Sequence, residues 1–361
     1  MTTAERIERN QRVDSLRIIE EYYWMLLRHL HSAVSHRLGE PGMRALEEGF
    51  RLCGHYRGEG MRQYPRTFAE GRDALSLLRA WDVADLVFAH PDARLEVEGD
   101  AGQATVRLPR VPGSDYFATH EGGEVLASYW QQTLAGIAAG YDEQLSVSHS
   151  EISSDGATPL TITWTFSGDT SGASDTRPGD PFADVAASIR LSRRTFGVFA
   201  GLGMYVARAL INRFDATGEE LMRESLYNFG FERGQQAQEE AVREGRPLDF
   251  QTWSDIISRR DPQATSFVFR GDSHISPGVL QSTCTYCPCA EVWSEEGAGG
   301  LAFGYIYDME VHRGLVEGFH PGGVVAWNKV KTRGDKVCEF RFSIPELVTK
   351  DDPEWARSTP S

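Results

Sequence analysis

The segment Cys284-Thr-Tyr-Cys287-Pro-Cys289-Ala-Glu291 puts three thiols and a carboxylate within eight residues. It stands where a strand-like run gives way to a helical pattern. Pro288 suits the first helical turn, where a backbone N–H has no partner to lose. A thiol just ahead of a helix has its thiolate stabilised by the unpaired N–H groups there, so its pKa falls. Cys287 or Cys289 is therefore a candidate nucleophile or acid–base group. The bland alternative is that free cysteines pack as small buried apolar residues. Cys284 and Cys287 also have the spacing of a metal-ligand pair, but no second matching pair follows, and Cys289 and Cys338 would have to complete the set. We expect neither a metal nor a cofactor.

Asp308 and His312 lie four apart in a helical pattern and so share a face. His312 reads as the solvated member of that pair. Asp308 follows Gly304-Tyr-Ile-Tyr307, and its counterpart in an earlier repeat of the chain is Trp130. A carboxylate where a matching position keeps a large apolar ring suggests a pocket. His320, in Gly318-Phe-His-Pro321, falls in a loop between helix and strand, where functional residues concentrate. Its imidazole could titrate near neutral pH and would orient a substrate or transfer a proton.

These residues must be held by one of two similar units. Leu95-Glu-Val-Glu-Gly-Asp100 is echoed by Phe267-Val-Phe-Arg-Gly-Asp272, and Gly54-His-Tyr-Arg-Gly58 by Gly230-Phe-Glu-Arg-Gly234. From Gly140 against Gly318 to Trp164 against Phe342 the copies run together without a gap. The shared positions are apolar residues and glycines, which a fold needs. Cys284, Cys287, Cys289, Cys338, Asp308, His312 and His320 belong to the second copy alone. Helical spacing predicts helices over 18–34 and from Met43 towards Met61, broken at Leu38-Gly-Glu-Pro-Gly42, and again up to Phe214 and over 219–244. Each copy continues with short alternating runs (Leu95/Val97 and Thr105–Leu108; Phe267–Phe269 and Val279/Leu280), then a helix (125–139; 301–316), then a strand pair joined at Ser154-Asp-Gly156 or Arg333-Gly-Asp335. This is an α+β fold of two tandem repeats, each a helix-covered antiparallel sheet, expected to pack as an internal pseudo-dimer. The expected boundaries are a degenerate first repeat over 1–166, a Ser/Gly/Asp/Thr-rich linker over 167–190, a second repeat over 191–346 carrying the site, and a disordered tail over 347–361.

Composition narrows the partners. The net charge of −15 argues against nucleic acid, which needs clustered Lys and Arg, and against an acidic membrane surface. The N-terminus lacks an apolar secretory core. The greasiest stretch, Phe196 to Ile211, is interrupted by glycines and Arg208 and is shorter than the ~20 residues of a bilayer span, so it reads as a buried helix. Five cysteines, an odd count with four of them in the last third, fit reduced thiols in a cytoplasm. A small-molecule substrate is expected, and a homodimer is compatible.

Cys287-Pro-Cys-Ala-Glu291, the helical Asp308, Gly318-Phe-His-Pro321, Gly334-Asp335-Lys-Val-Cys338-Glu-Phe340 and the upstream Gly230–Gly234 helix together resemble the L-2-amino-thiazoline-4-carboxylic acid hydrolase family. Where that family carries a cysteine three residues before the Asp, this chain has Tyr305, and the tandem form differs from the family's usual single unit. The resemblance implies ring-opening hydrolysis at a C=N or C–N bond of a thiazoline- or amidine-like heterocycle, in a specialised metabolic pathway. Cys287, Asp308 and His320 would be its catalytic groups, and Cys289, Glu291, Tyr305 and Cys338 would contact the substrate. Two other functions fit the same residues. One is a lyase or cyclase working without net addition of water. The other is a non-catalytic small-molecule-binding module similar to 4-vinyl-reductase-like domains, which share the Gly-Asp-x-x-Cys ending.

Overall fold

The computed structural model describes residues 3–63, 73–80, 96–152, 158–170, 185–260 and 273–352. It divides into two compact units, Met1–Asp215 and Ala216–Ser361. Each contains a four-stranded antiparallel sheet with helices, an α+β architecture.

Unit 1 opens with α1 (Thr3–Gln63), which is two helical arms joined at a kink. Gly39 takes φ 57° and ψ −144° there, and Pro41 follows, so the break expected from the sequence is a sharp bend between abutting helices. α2 (Ala74–Ala80) lies against β2, and the sheet order is β1 (Glu96–Gly99), β2 (Gln103–Leu108), β4 (Leu160–Phe166), β3 (Leu145–His149). The short α3 (Ser114–Phe117) and the core helix α4 (Val125–Tyr141) fall between β2 and β3. The first arm of α5 (Val185–Arg243) also belongs to this unit, where Tyr205 packs on Tyr56 with ring centroids 5.6 Å apart.

Unit 2 repeats the plan. The second arm of α5 follows a kink at Asp215 (φ 47°, ψ −125°), the position matching Gly39. Then come α6 (Phe250–Arg260), β5 (Ser273–Ile275), β6 (Val279–Cys284), α7 (Pro288–Glu295), α8 (Gly297–Phe319), β7 (Val324–Lys329) and β8 (Cys338–Ser343). The sheet order β5-β6-β8-β7 reproduces that of unit 1. Phe250, Trp253, Phe319, Phe342 and Ile344 form its core.

The repeat is written most clearly in helix contacts. A Cβ placed at Gly54 or Gly58 of α1 would meet the carbonyl oxygens of Thr133 or Ile137 of α4 at 2.3 Å. At Gly230 or Gly234 of α5 it would meet those of Val311 or Leu315 of α8 at 2.2 Å. Gly136 and Gly140, and Gly314 and Gly318, answer from the facing helices. Backbones this close admit no side chain, so these glycines set the crossing of the two central helices in each unit.

Strand register corrects one part of the sequence reading. β5 begins at Ser273, and its partner Ser282 matches Val106, which pairs with Val97. Ser273 is therefore the counterpart of Val97, and the turn Ser276-Pro-Gly278 is the counterpart of Asp100-Ala-Gly102, each closed by a 2.8 Å backbone bond across it. The echo of Leu95–Asp100 in Phe267–Asp272 is thus out of step with the hydrogen-bonded pairing. Leu95, Phe267–Asp272 and the Ser154–Gly156 turn lie outside the described residues, as does most of the expected linker, of which the last part is helical from Val185.

Past Leu347 the chain stays ordered to Asp352. That carboxylate is buried and accepts bonds from Ser276 Oγ and the Thr349 backbone N–H. Among the described residues, one helix, Arg193–Arg243, has the length and apolar composition of a membrane span, and 83% of its most apolar window is buried inside the protein. Core helices have that character.

Candidate active site

β6 ends at Cys284, directly opposite Cys338 at the start of β8. Both thiols are buried on the helix-facing side of the sheet. From there the chain turns through Thr285 and Tyr286 into α7, with Cys287 at the N-cap and Pro288 in the first turn, the start expected from the sequence. Cys284 Sγ donates to the Tyr286 carbonyl at 2.9 Å, which holds the turn.

Cys287 and Cys289 share a proton unequally. The buried Cys289 thiol donates to Cys287, and this is the largest influence lowering the Cys287 pKa from 9.0 to about 7, against the opposing effect of burial. The N–H groups of Ala290 and Cys289 at the helix start and the Lys331 ammonium act in the same direction. The Cys289 thiol is pushed well above its ordinary value by that same bond and by burial. Burial has the reverse effect on a thiol: it raises Cys53, inside unit 1, to about 11, and together with the nearby Asp308 it raises Cys338 to about 12. Cys287, half-buried and low in pKa, is the one reachable thiolate of the group.

Asp308 comes from the middle of α8 and is buried. Desolvation raises its pKa well above the carboxylate range, and the Cys287 thiolate adds to the rise. Thr332 Oγ1 donates to its Oδ2 at 3.2 Å. Low-dielectric surroundings and a neighbouring anion both favour the neutral acid. The site therefore sets a low-pKa thiol within electrostatic reach of a carboxyl group whose neutral form is favoured.

Lys331 and Thr332 were not legible as site residues in the sequence. They sit in a 3₁₀ turn (Lys331–Arg333) between β7 and β8. Lys331 Nζ donates to the Thr285 carbonyl at 3.0 Å, and its backbone N–H to Cys338 Sγ at 3.3 Å. The Gly334-Asp335 pair builds this turn: Asp335 Oδ2 accepts from the Val330 N–H at 2.8 Å, and Gly334 takes φ 97°. That motif was visible, and it marks the loop that delivers both residues.

The other sequence candidates are placed elsewhere. His320 caps the end of α8, twelve residues and so ~18 Å along the helix from Asp308. Its Nδ1 accepts from the Gly322 N–H, and its Nε2 lies 3.5 Å from Glu346. Glu291 is exposed and accepts from Tyr286 Oη at 2.7 Å. Tyr305 lies under the Arg333 guanidinium at 4.5 Å. His312 is not the solvated residue expected. Its ring packs on Trp327 (4.8 Å) and Phe340 (5.1 Å), its Nδ1 lies 2.9 Å from the Asp308 carbonyl, and burial lowers its pKa to about 4, so it is neutral. The reason is rotational: four residues along α8 turn His312 towards the sheet with Asp308. Among the described residues, no three His, Cys, Asp or Glu side chains are arranged to hold a metal ion.

Unit 1 shows what the same frame looks like without chemistry. Leu108 and Leu160 are paired where unit 2 pairs Cys284 and Cys338. Val111-Pro-Gly113 stands for Cys287-Pro-Cys289. Trp130 replaces Asp308; it is 0% exposed, and its indole donates to the Pro112 carbonyl at 3.1 Å. An indole fills the volume that holds the acid in unit 2.

Residues 195–342 match the model of the L-2-amino-thiazoline-4-carboxylic acid hydrolase family. This part of the chain is similar to that family. The matched stretch takes in every thiol of the cluster, Asp308, Lys331 and Thr332, and begins beyond the first sheet. No curated protein and no solved structure matches the chain. Within the matched segment, the residues brought together are Cys284, Cys287, Cys289, Asp308 and Cys338, with Lys331 and Thr332.

Proposed function

We propose that the second repeat is a hydrolase that opens a small cyclic amidine or thiazoline-type ring, with Cys287 as nucleophile and Asp308 as acid and then base. The observation that carries this reading is the pairing of a low-pKa thiol with a buried, protonated carboxyl group. Cys287 Sγ attacks the C=N carbon, and the π pair moves to nitrogen. The C=N bond re-forms as the ring heteroatom leaves with the Asp308 proton, so the ring opens and the carbon stays bonded to sulfur. Asp308, now a carboxylate, takes a proton from water. The resulting hydroxide attacks that carbon, and the thiolate departs. The net change is the addition of one water. A positioned acid–base group contributes ~10²–10⁴-fold, and a thiolate divides one hard displacement into two easier ones.

The family match supports hydrolysis; the departure at Tyr305 leaves a different heterocycle from the family's own as the substrate. The reduced thiols suit a cytoplasmic setting in a specialised pathway. Pairing of the repeats as an internal pseudo-dimer is part of the same proposal and rests on the sequence repeat; cross-linking mass spectrometry with no link between residues 16–166 and 216–344 would count against it.

The deciding experiment incubates the protein with 2-amino-thiazoline-4-carboxylate and related cyclic amidines and follows mass gain of one water. Cys287→Ala and Asp308→Asn should each lose at least 10²-fold in kcat. Acid quenching should trap a substrate-derived adduct on Cys287. Full turnover in both variants would remove the catalytic assignment of these residues, and no turnover of any of these compounds by wild type would favour a binding module.

A further inference from the structure

Beside the thiol cluster, the helix-facing side of the unit 2 sheet is left partly open. In unit 1 the matching face is sealed: Ala104, Val106, Ile162 and Trp164 are all at most 2% exposed, and Leu134 of α4 is 0% exposed. In unit 2 the counterparts of Ala104 and Val106, Leu280 and Ser282, are only half-buried. The substitutions that separate the faces are specific. Ser282 stands for Val106, His312 for Leu134, Phe340 for Ile162 and Trp327 for His149. A small hydroxyl replaces a branched apolar side chain, and three rings replace residues of other shapes.

The rings form a wall. Trp327 meets His312 edge-on at 4.8 Å and Phe340 at 5.2 Å, and His312 meets Phe342 at 6.1 Å. Trp327 stands at a bulge, because pairing with β8 slips between Trp327 and Lys329. Bulges re-aim side chains and recur beside active sites. The Trp327 Nε1–H is buried and has no acceptor among the described residues. Its unit 1 counterpart, His149, has a partner in the Ser150 carbonyl at 2.8 Å. A buried donor without an acceptor is costly and rare, and in a native site it calls for an explanation. The buried Arg233 guanidinium also acts on His312, and its positive charge favours an acceptor atom nearby.

This wall is continuous with the reacting groups. His312 follows Asp308 by one helical turn, ~6 Å. Phe340 follows Cys338 by two residues on the same strand face, ~7 Å.

We propose that Trp327, His312, Phe340 and Ser282 form a substrate subsite that takes a planar aromatic group bearing a carboxylate or carbonyl oxygen, with the Trp327 Nε1–H donating to that oxygen. The proposal rests on the hydrolase reading above and extends it: the substrate carries an aromatic substituent or fused ring beyond the amidine. Its oxygen completes the orphan donor, and its ring covers the open sheet face.

The test uses full-length protein and two probes, 2-aminobenzothiazole-6-carboxylate and unsubstituted 2-aminobenzothiazole. Wild type should bind the carboxylate probe more tightly by calorimetry. Trp327→Phe should weaken that probe about tenfold while changing the unsubstituted one less than twofold, as loss of one hydrogen bond to a charged group requires. Ser282→Val should weaken both by refilling the face as in unit 1. In ¹H–¹⁵N spectra, the indole resonance absent from Trp327→Phe should move on saturation with the carboxylate probe. Unchanged iodoacetamide reactivity of Cys287 will show that both variants remain folded. Failure of the wild type to bind, equal affinity in Trp327→Phe, or a stationary indole signal would overturn the subsite. Cys287→Ala should bind both probes normally. Normal binding of both probes with no turnover by wild type would leave the subsite standing and remove the hydrolase reading.

Discussion

The surroundings of Cys287 lower its pKa, and this gives two measurable consequences. With a pKa near 7 instead of 9.0, it is largely thiol below pH 7 and thiolate above. Its alkylation by iodoacetamide should rise with pH and reach half its limit near pH 7. Lys331→Met, which removes a cation that favours the thiolate, should move that midpoint upward. Asp308 has the opposite sign. Its folded pKa lies above the ordinary 3.8, so the native state holds a proton that the unfolded chain releases. The folded protein therefore loses stability as pH climbs from about 3.8 towards the folded value. Asp308→Asn removes that loss. The variant should be inactive yet more stable than wild type at neutral pH in urea titrations, and the gap should close below pH 4. A kcat/KM profile with an acid limb from Cys287 and an alkaline limb from Asp308 is expected of the wild type. His312, neutral down to about pH 4, should add no limb at neutral pH.

At the scale of elements, the kinks and crossings decide stability. Asp215 adopts φ 47° and ψ −125°, a conformation that its counterpart Gly39 takes freely. Strain at such a position costs ~1–3 kcal/mol, and glycine returns ~0.5–1 kcal/mol of that in chain entropy. Asp215→Gly should therefore raise stability by about 1 kcal/mol, read as a Tm rise of a few degrees. Gly230→Ala should do the reverse. Its Cβ would meet the Val311 carbonyl oxygen at 2.2 Å, so α5 and α8 must separate. A loss of ~2–4 kcal/mol is expected, comparable to overpacking a rigid contact. Helix spacing, breaks and the glycine repeats announced these elements in the sequence, because each depends on local backbone demands. The register of β5 did not announce itself, since Leu95–Asp100 and Phe267–Asp272 look alike whichever way the strands pair.

For the whole molecule, the chemistry should sit in one unit. Trp130→Phe in unit 1 loses the indole bond to Pro112 and part of a buried ring, which should cost ~1–3 kcal/mol in thermal unfolding and leave kcat unchanged. The sequence by itself determined the duplication, the α+β class, the helix start at Pro288 and the candidacy of Cys287 and Asp308. Those follow from local rules of periodicity, capping and residue chemistry, together with a family resemblance. Tertiary structure decided which candidates meet. It brings Cys338 from β8, Lys331 and Thr332 from a turn and Asp308 from α8 to one thiol, and leaves His320 at the far end of the same helix. It also turned His312 into a ring of an aromatic wall. Proximity among residues dozens of positions apart is set by strand pairing and helix crossing, and so are the desolvation and fields that move a pKa.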